Sequence, residues 1–262
     1  MNILVCIKQV PASSDVNIDE ETGTIIRDGV DSKMNPYDLY ALELGLQLKE
    51  QYGGCVDVVS MGPPQANEVL EEAIAIGADK GSLLSDRAFA GADVLATSYT
   101  LAQGIESLGN YDLILCGKQT TDGDTAQVGA EIAEFLDFDH ATNILNIDNV
   151  SDSGVSVQMN LGDVIYHQDM KFPCVLTIEK DINTPRLPSY KRKCQLDETK
   201  ISMSSLADFK DQDKMHYGLN GSPTSVEKVF PPDKNTEQET FTGTPEEMAI
   251  KLVNEMKDLK LI

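Results

Sequence analysis

Short apolar segments alternate with helix-length segments through the first half of the sequence, and this alternation restricts the fold more than any other feature. The predicted strands are residues 3–7, 55–60, 81–84 and 113–116. The predicted helices between and after them are residues 35–49, 63–76, 92–108 and 126–136. Strands that are separated by helices predict an α/β fold with a doubly wound, mostly parallel sheet and right-handed crossovers.

Local signals mark the ends of several of these elements. Asn35 suits the N-cap position of the first helix, Pro36 suits its first turn, and Asp38 stands where a capping-box acid would. Gly77 is expected to end the second helix, and Asp93 is expected to cap the third. Before the first helix, residues 16–30 contain a turn between two short β-like stretches, which predicts a hairpin.

The pattern changes after residue 136. Residues 144–150, 155–159, 164–168 and 175–178 read as strands with no helices between them, so we expect an antiparallel extension of the sheet. Residues 181–262 are polar and rich in proline, and only residues 246–259 have amphipathic helical spacing. We therefore expect a nucleotide-binding α/β domain over residues 1–180, and over residues 181–262 an extended C-terminal arm whose terminal helix packs on a partner chain.

Charge and composition exclude several classes of function. The formal net charge of −22 disfavours binding to nucleic acid or to an anionic membrane, although it also serves solubility alone. No apolar run is long enough to insert into a membrane. The five cysteines are scattered without a Cys-x-x-Cys pair, which fits a reducing cytoplasm and predicts no metal site.

The strongest candidate for a binding site is the loop after the fourth predicted strand, residues 117–129. Its small residues let backbone amides approach a ligand, and the helix that follows offers unpaired N–H groups to phosphate. Asp122 and Asp124 oppose a simple phosphate site, but they could cap the helix or face a ribose. The spacing matches neither Gly-x-Gly-x-x-Gly nor a Walker loop, and an ordinary strand-to-helix turn remains the alternative.

Three further loops leave strands at the same edge. In the first, Met61 and Gly62 precede two prolines, and the glycine permits close approach of a ligand. In the second, Tyr37 follows Asn35 and is placed to stack on a base. In the third, Arg87 is placed to meet a pyrophosphate or a flavin ring, and Phe89 to cover one. A plain helix start is the better explanation of the first loop and explains the second equally well, and a surface ion pair is the alternative for Arg87.

No Ser/His/Asp or Cys/His arrangement can be assembled from the sequence, since the three histidines all fall in the later half. The chain therefore has a candidate nucleotide site and no recognisable side-chain catalyst. This combination indicates a protein that carries a cofactor, with the cofactor supplying the reactivity.

Several segments resemble the β subunit of electron transfer flavoproteins: residues 6–11, 34–38, 77–79 and 117–128. The resemblance runs from Met1 to about Lys193, with a weaker match in the C-terminal helix. In that family the β subunit forms a heterodimer with an α subunit that holds a redox FAD. The β subunit itself binds AMP in the respiratory type, or a second FAD in the electron-bifurcating type.

The resemblance implies which residues contact the nucleotide: Cys6, Asn35, Tyr37, Asp38, Met61, Gly117, Lys118, Gln119, Thr120, Thr121, Asp122, Gly123, Asp124, Thr125, Ala126, Gln127 and Val128. Residues 86–89 and 93–98 are similar to the bifurcating members, which adds Arg87, Asp93 and Thr97 and favours FAD over AMP. Residues 187–193 match the place of the family's dehydrogenase-recognition loop, with Leu187, Tyr190, Lys191 and Arg192 as partner-binding residues, although a solvated basic loop is the alternative.

For a bifurcating member the resemblance implies a pathway for electrons. NADH would reduce the FAD of the β subunit, one electron would go to ferredoxin or flavodoxin, and the other would go through the α-subunit FAD to a flavin dehydrogenase. Two alternatives stay open at this point. One is a non-bifurcating subunit with structural AMP, and the other is a free-standing adenine-nucleotide-binding regulatory protein.

Overall fold

A computed structural model of the protein describes residues 1–12, 32–197, 200–227 and 239–262. The hairpin predicted at residues 16–30 lies outside the described residues. The chain divides into two compact units, Met1–Glu227 and Lys228–Ile262.

The described part of the first unit contains eleven strands and six helices. The strands are β1 Asn2–Cys6, β2 Gln9–Pro11, β3 Ser32–Met34, β4 Cys55–Met61, β5 Lys80–Leu84, β6 Leu113–Gly117, β7 Asp139–Ser151, β8 Gly154–Asn160, β9 Ile165–Lys171, β10 Cys174–Ile178 and β11 Ile201–Ser204. The helices are α1 Pro36–Tyr52, α2 Asn67–Ile76, α3 Val94–Leu108, α4 Val128–Leu136, α5 Tyr190–Cys194 and α6 Gly218–Gly221.

Nine of these strands form one sheet in the order β11-β5-β4-β1-β6-β10-β7-β8-β9, while β2 and β3 form a separate antiparallel pair. All neighbours from β11 to β7 are parallel, whereas β8 is antiparallel to β7 and β9 is antiparallel to β8. This confirms the predicted α/β class with an antiparallel extension. From β1 the chain first adds β4 and β5 on one side and then β6 on the other. The strand order therefore reverses between β1 and β6, where ligands bind in open sheets of this kind.

Alternating side chains of the central strands supply two cores, one on each face of the sheet. On β1, Ile3 and Val5 pack with residues of α1 and α2, whereas Leu4 packs with residues of α3 and α4. All three side chains are fully buried. Burial on both faces explains why these strands read as continuous apolar runs.

One predicted strand has a different place from the one expected. Residues 175–178 were assigned to the antiparallel extension, but β10 lies between β6 and β7 and is parallel to both. Its five residues are all buried, as is usual for a strand inside a parallel sheet. The extension itself consists of β7, β8 and β9.

Residues 201–222 pack within the first unit although the sequence of this segment is polar and has few apolar residues. β11 adds a parallel edge strand next to β5. Leu206, Phe209 and Tyr217 are at most 5% exposed and join the core on the α3 side. A few large apolar side chains, widely spaced in a polar segment, are enough to bind it to the domain.

The second unit contains helix α7, Pro245–Asp258, close to the predicted residues 246–259. A capping box formed by Thr244 and Glu247 begins it. Its apolar side chains, including Ile250, Leu252 and Val253, are exposed. Among the described residues, no helix has the length and apolar character needed to cross a bilayer.

Candidate nucleotide-binding site

The candidate site lies at the carboxyl ends of the central strands, where the strand order reverses. Cys6 and Cys116 are register partners at the ends of β1 and β6, and both are buried. The hydrogen bond that the Cys116 thiol makes to Cys6, together with burial, holds the pKa of Cys116 well above its usual range. The chain beyond these two strands forms the rim of the site.

Asn35 joins the start of α1 to the loop at residues 117–128. Asn35 occupies the N-cap position of α1, but its fully buried side chain accepts no hydrogen bond from a backbone N–H of that helix, contrary to the expected capping role. Instead its Nδ2 donates to the Gln119 carbonyl at 2.9 Å, and its Oδ1 accepts from the Thr121 N–H at 3.3 Å. Asn35 therefore fixes the beginning of the loop.

Asp38 also differs from the expected capping-box role, because its carboxylate faces inward. Oδ2 accepts from the backbone N–H of Lys8 at 2.8 Å, and Oδ1 accepts from Asn35 Nδ2 at 2.9 Å. Burial raises the pKa of Asp38 to about 7, although the hydrogen bonds from Asn35 and Lys8 oppose the shift. Gly117 packs directly against this turn, since a Cβ there would lie 2.7 Å from the Tyr37 carbonyl carbon.

Two acidic side chains of the loop are occupied by partners within the chain. Asp122 accepts from the Lys8 ammonium at 2.8 Å, and this contact lowers the pKa of Asp122 although burial works in the opposite direction. Asp124 accepts a short hydrogen bond from the Gln119 amide. Neither acid caps α4, whose N-cap residue Gln127 makes no side-chain cap. The expected repulsion of phosphate is thus reduced at Asp122 by a neutralising cation.

Helix α4 begins two residues later than predicted, at Val128. Asp124 and Ala126 have φ angles of 53° and 56°, in the left-handed region that ordinary residues seldom adopt, so the helix cannot include them. The amides from Thr125 to Val128 donate to no acceptor in the part of the chain that the structure describes. They are available to a ligand at a helix N-terminus.

Other predicted residues continue the same edge. Lys118 lies next to the loop with its ammonium 3.0 Å from Glu179, just beyond β10. On the other side of β1, Met61 ends β4, and the Gly62 N–H donates to the Leu84 carbonyl at 3.1 Å. Arg87 is exposed beyond the end of β5. The predicted contact residues therefore follow the ends of β6, β1, β4 and β5.

Two residues near the start of α3 are engaged within the protein. Asp93 caps α3 as expected, accepting from the Ala96 N–H at 3.1 Å, and its second oxygen accepts from the Thr224 hydroxyl at 2.7 Å. Thr97 lies in the same first turn and donates its N–H to the Asp93 carbonyl. Thr224, which follows α6 in the chain, thus covers the start of α3.

The expectation that Phe89 covers a flavin is wrong. Its ring is 4% exposed and stacks on Phe209 with the centroids 5.4 Å apart, and Tyr217 packs beside both. Phe209 and Tyr217, which bury Phe89, lie more than a hundred positions later in the sequence.

The predicted recognition segment is held on both sides and exposed in the middle. Arg186 binds Glu43 of α1 at 2.8 Å and also contacts Glu50, and the Ser189 N–H donates to Ala75 at the end of α2. Leu187 is 87% exposed and Tyr190 is 82% exposed. Lys191 and Arg192 lie on the short helix α5 that follows.

Lys8 is a site residue that the sequence reasoning missed. It stands two residues beyond the end of β1, and it supplies both the backbone donor to Asp38 and the ammonium partner of Asp122. A basic side chain just past the first strand of a strongly acidic chain was the available signal.

An open α/β sheet with a loop of free amides at its strand-order reversal defines a class of nucleotide-binding proteins. Within that class, the electron transfer flavoprotein domain matches residues 22–203. The chain belongs to the electron transfer flavoprotein family, as a β subunit.

Full-length relatives agree with this assignment. The chain is 43% identical to the electron transfer flavoprotein subunit beta of Clostridium acetobutylicum, over 98% of each chain. It is 44% identical to the same subunit of Thermoanaerobacterium thermosaccharolyticum, over the whole of both chains. It is also 43% identical to the caffeyl-CoA reductase-Etf complex subunit CarD of Acetobacterium woodii, again over both full lengths.

Proposed function

We propose that this β subunit holds FAD at the edge formed by β1, β4, β5 and β6, and that it passes electrons from NADH to a low-potential acceptor and to the FAD of an α subunit. FAD supplies the hydride and single-electron chemistry when it is bound. The protein's part is to bind, orient and shield it. The observation that carries the proposal is the loop at residues 117–128, which is fixed at its base and presents free amides at its end.

The donors of the loop fit the phosphates of a nucleotide. Amides from Thr125 to Val128 lie at the positive end of α4, and Thr120 and Thr121 add hydroxyl groups. Because Lys8 neutralises Asp122, a pyrophosphate meets less repulsion than the acidic composition of the loop suggests.

The predicted contact residues extend so far along the carboxyl edge of the sheet that they favour a dinucleotide over AMP. The predicted contact residues extend across four neighbouring strands, from β6 through β1 and β4 to β5. Three gaps between parallel strands span about 14 Å. A mononucleotide at the 117–128 loop leaves Met61 and Arg87 without a ligand, whereas FAD extends toward them.

The exposed segment around Leu187 supports a docking role toward a flavin dehydrogenase. Arg186 fixes the segment to a Glu43 side chain that is only 5% exposed, so Leu187 and Tyr190 are presented on a rigid base. Exposed apolar side chains beside basic ones suit a partner with a hydrophobic pocket and an acidic rim. The α subunit, with ferredoxin or flavodoxin as the low-potential acceptor, completes the proposed set of partners.

A reducing compartment suits this chain, and we place it in the cytoplasm. All five cysteines are free thiols, and three of them are buried in the sheet. Proteins in oxidising compartments usually pair such residues as disulfides.

The experiment that tests the proposal is the nucleotide content of the chain purified together with its α subunit. Thr125→Ala and Asp124→Ala should lower the flavin bound by the β subunit, because both alter the loop that would hold it. Asp152→Ala, in the exposed turn between β7 and β8, is the matched control and should leave the flavin content unchanged. Unchanged flavin in both loop variants would overturn the placement of the site, and AMP in place of a second flavin would indicate a simple single-electron shuttle.

A further inference from the structure

The side chain of Asp38 is a buried carboxyl whose two oxygens both accept hydrogen bonds from the protein itself. It is 4% exposed, and it accepts from the backbone N–H of Lys8 and from the Asn35 amide, with the Gly117 backbone as a further hydrogen-bond partner. Asn35 is fully buried and binds the loop through the Gln119 carbonyl and the Thr121 N–H. The Asn35 N–H also donates to the Lys8 carbonyl at 2.8 Å.

We propose that Asp38 and Asn35 form a buried clamp that positions the 117–128 loop for nucleotide binding, so that Asp38 acts as a positioning residue and not by touching the nucleotide. This inference rests on the proposed nucleotide site. It assigns to Asp38 a role that a contact residue would not have, because its oxygens are used inside the protein.

The clamp joins three segments that are far apart in the sequence. Lys8 comes from the end of β1, Asn35 and Asp38 come from the start of α1, and Gln119 and Thr121 come from the loop. Gly117 lies so close to the Asp38 turn that any side chain there would displace it. Beyond Thr121 the loop is exposed, and the Lys8–Asp122 ion pair is its main further tie to β1.

The charge state of Asp38 decides whether the clamp can close. An ionised carboxylate accepts from both donors, whereas a protonated one must turn an O–H toward one of them and loses that hydrogen bond. The charged and titratable groups that face it are Lys8, with Asp122 behind it, and the thiol of Cys116. Burial raises the pKa of Asp38 itself to about 7, so this carboxyl titrates within the physiological pH range.

The sign of the effect differs between binding and folding. The pKa of Asp38 is higher in the folded chain than in the unfolded chain, so its contribution to stability is full below about pH 4 and is lost as the pH rises to 7. The clamp, in contrast, closes as Asp38 ionises, so nucleotide affinity should rise over pH 6 to 8. A residue with a purely structural role would move both quantities in the same direction.

The test is a titration of the full-length chain with FAD at pH 6, 7 and 8, because the phosphates and the isoalloxazine of FAD do not titrate in this range. For one group with a pKa near 7, the dissociation constant should fall by about tenfold from pH 6 to pH 8. In Asp38→Asn the affinity should be more than tenfold weaker than wild type at pH 8 and independent of pH. Asp57→Asn is the control, since burial also raises the pKa of Asp57, but this half-buried carboxyl lies in the first half of β4. It should keep the wild-type profile.

A folded Asp38→Asn variant with the affinity and pH profile of the wild type would overturn the clamp. If that variant fails to fold, hydrogen exchange of the Thr121 amide in the wild-type protein tests the clamp instead. After correction for intrinsic exchange rates, the amide should be less protected at pH 6 than at pH 8. Equal protection at both pH values would contradict the proposal. The exchange measurement needs no nucleotide, so a wild-type chain that binds neither FAD nor AMP would refute the proposed function while the clamp is still tested.

Discussion

The Lys8 ammonium lies 2.8 Å from the Asp122 carboxylate and ties the end of the first strand to the loop that follows β6. This ion pair is partly exposed, with 43% of the Lys8 side chain and 18% of the Asp122 side chain accessible. Its value for binding lies in neutralising an acid next to the amides of α4. A pair of this exposure contributes modestly to stability.

Lys8→Ala should weaken FAD binding by about three- to tenfold, because Asp122 is then left unneutralised beside the phosphates. Lys8→Ala combined with Asp122→Asn should recover most of the affinity. Lys210→Ala is the control, since Lys210 forms an exposed pair with Glu106 on α3. Equal affinity of Lys8→Ala and wild type, measured by flavin fluorescence at low salt, would show that this pair has no part in the site.

Gly117 is the position where the loop and α1 approach most closely. A Cβ would lie 2.7 Å from the Tyr37 carbonyl carbon and 2.9 Å from the Asp38 nitrogen. Both are backbone atoms, and moving them would cost free energy because α1 would have to shift. Gly117→Ala should therefore lower the free energy of unfolding by about 1–3 kcal/mol and reduce nucleotide binding.

Gly123→Ala in the same loop is the matched control for Gly117→Ala. Its Cβ would meet only the Thr120 hydroxyl, at 3.3 Å. Urea denaturation of both variants checks the pair. Similar stability for the two would contradict the close approach at Gly117.

The stack of Phe89 on Phe209 makes the segment at residues 201–222 part of the domain. Phe209→Ala should cost about 3–5 kcal/mol of unfolding free energy, as for other large aromatic side chains in a core. Met203→Ala should change it by less than about 0.5 kcal/mol, since Met203 is 60% exposed. If the two variants unfold at the same urea concentration, the segment does not belong to the core.

The exposed pair Leu187 and Tyr190 should matter for partner recognition alone. Leu187→Ala and Tyr190→Ala are expected to slow electron transfer to the partner dehydrogenase by at least fivefold, or about 1 kcal/mol, while flavin content and stability stay unchanged. Met203→Ala serves as the control, since Met203 is also an exposed apolar residue, at 60%. Stopped-flow reduction of the dehydrogenase measures the rate, and rates equal to wild type in both variants would remove this segment from the docking surface.

Local sequence signals predicted the elements whose ends are set locally. β1 and β6 follow from buried apolar runs, and the start of α3 follows from Asp93, whose carboxylate accepts from the Ala96 N–H. Gly77 ends α2 as its position suggested. In each of these cases the residues that decide the structure lie within a few positions of one another.

The predictions from sequence were wrong where contacts between residues far apart in the chain determine the structure. β10 lies between β6 and β7 because of pairing across the sheet, which no short window reveals. The core role of Phe89 depends on Phe209 and Tyr217. In the site, the small residues at 117–128 indicated a binding loop, but the backbone angles of Asp124 and Ala126 shortened α4 and the partner of Asp122 was a lysine far upstream. Such contacts are properties of the fold and not of the local sequence.

The most direct test of the central claim is a count of the cofactors released when the purified complex with the α subunit is denatured. If this chain holds FAD at the end of its central strands, each heterodimer should release two FAD molecules, and NADH should reduce the bound flavin. One FAD with one AMP per heterodimer would contradict a flavin site in this subunit.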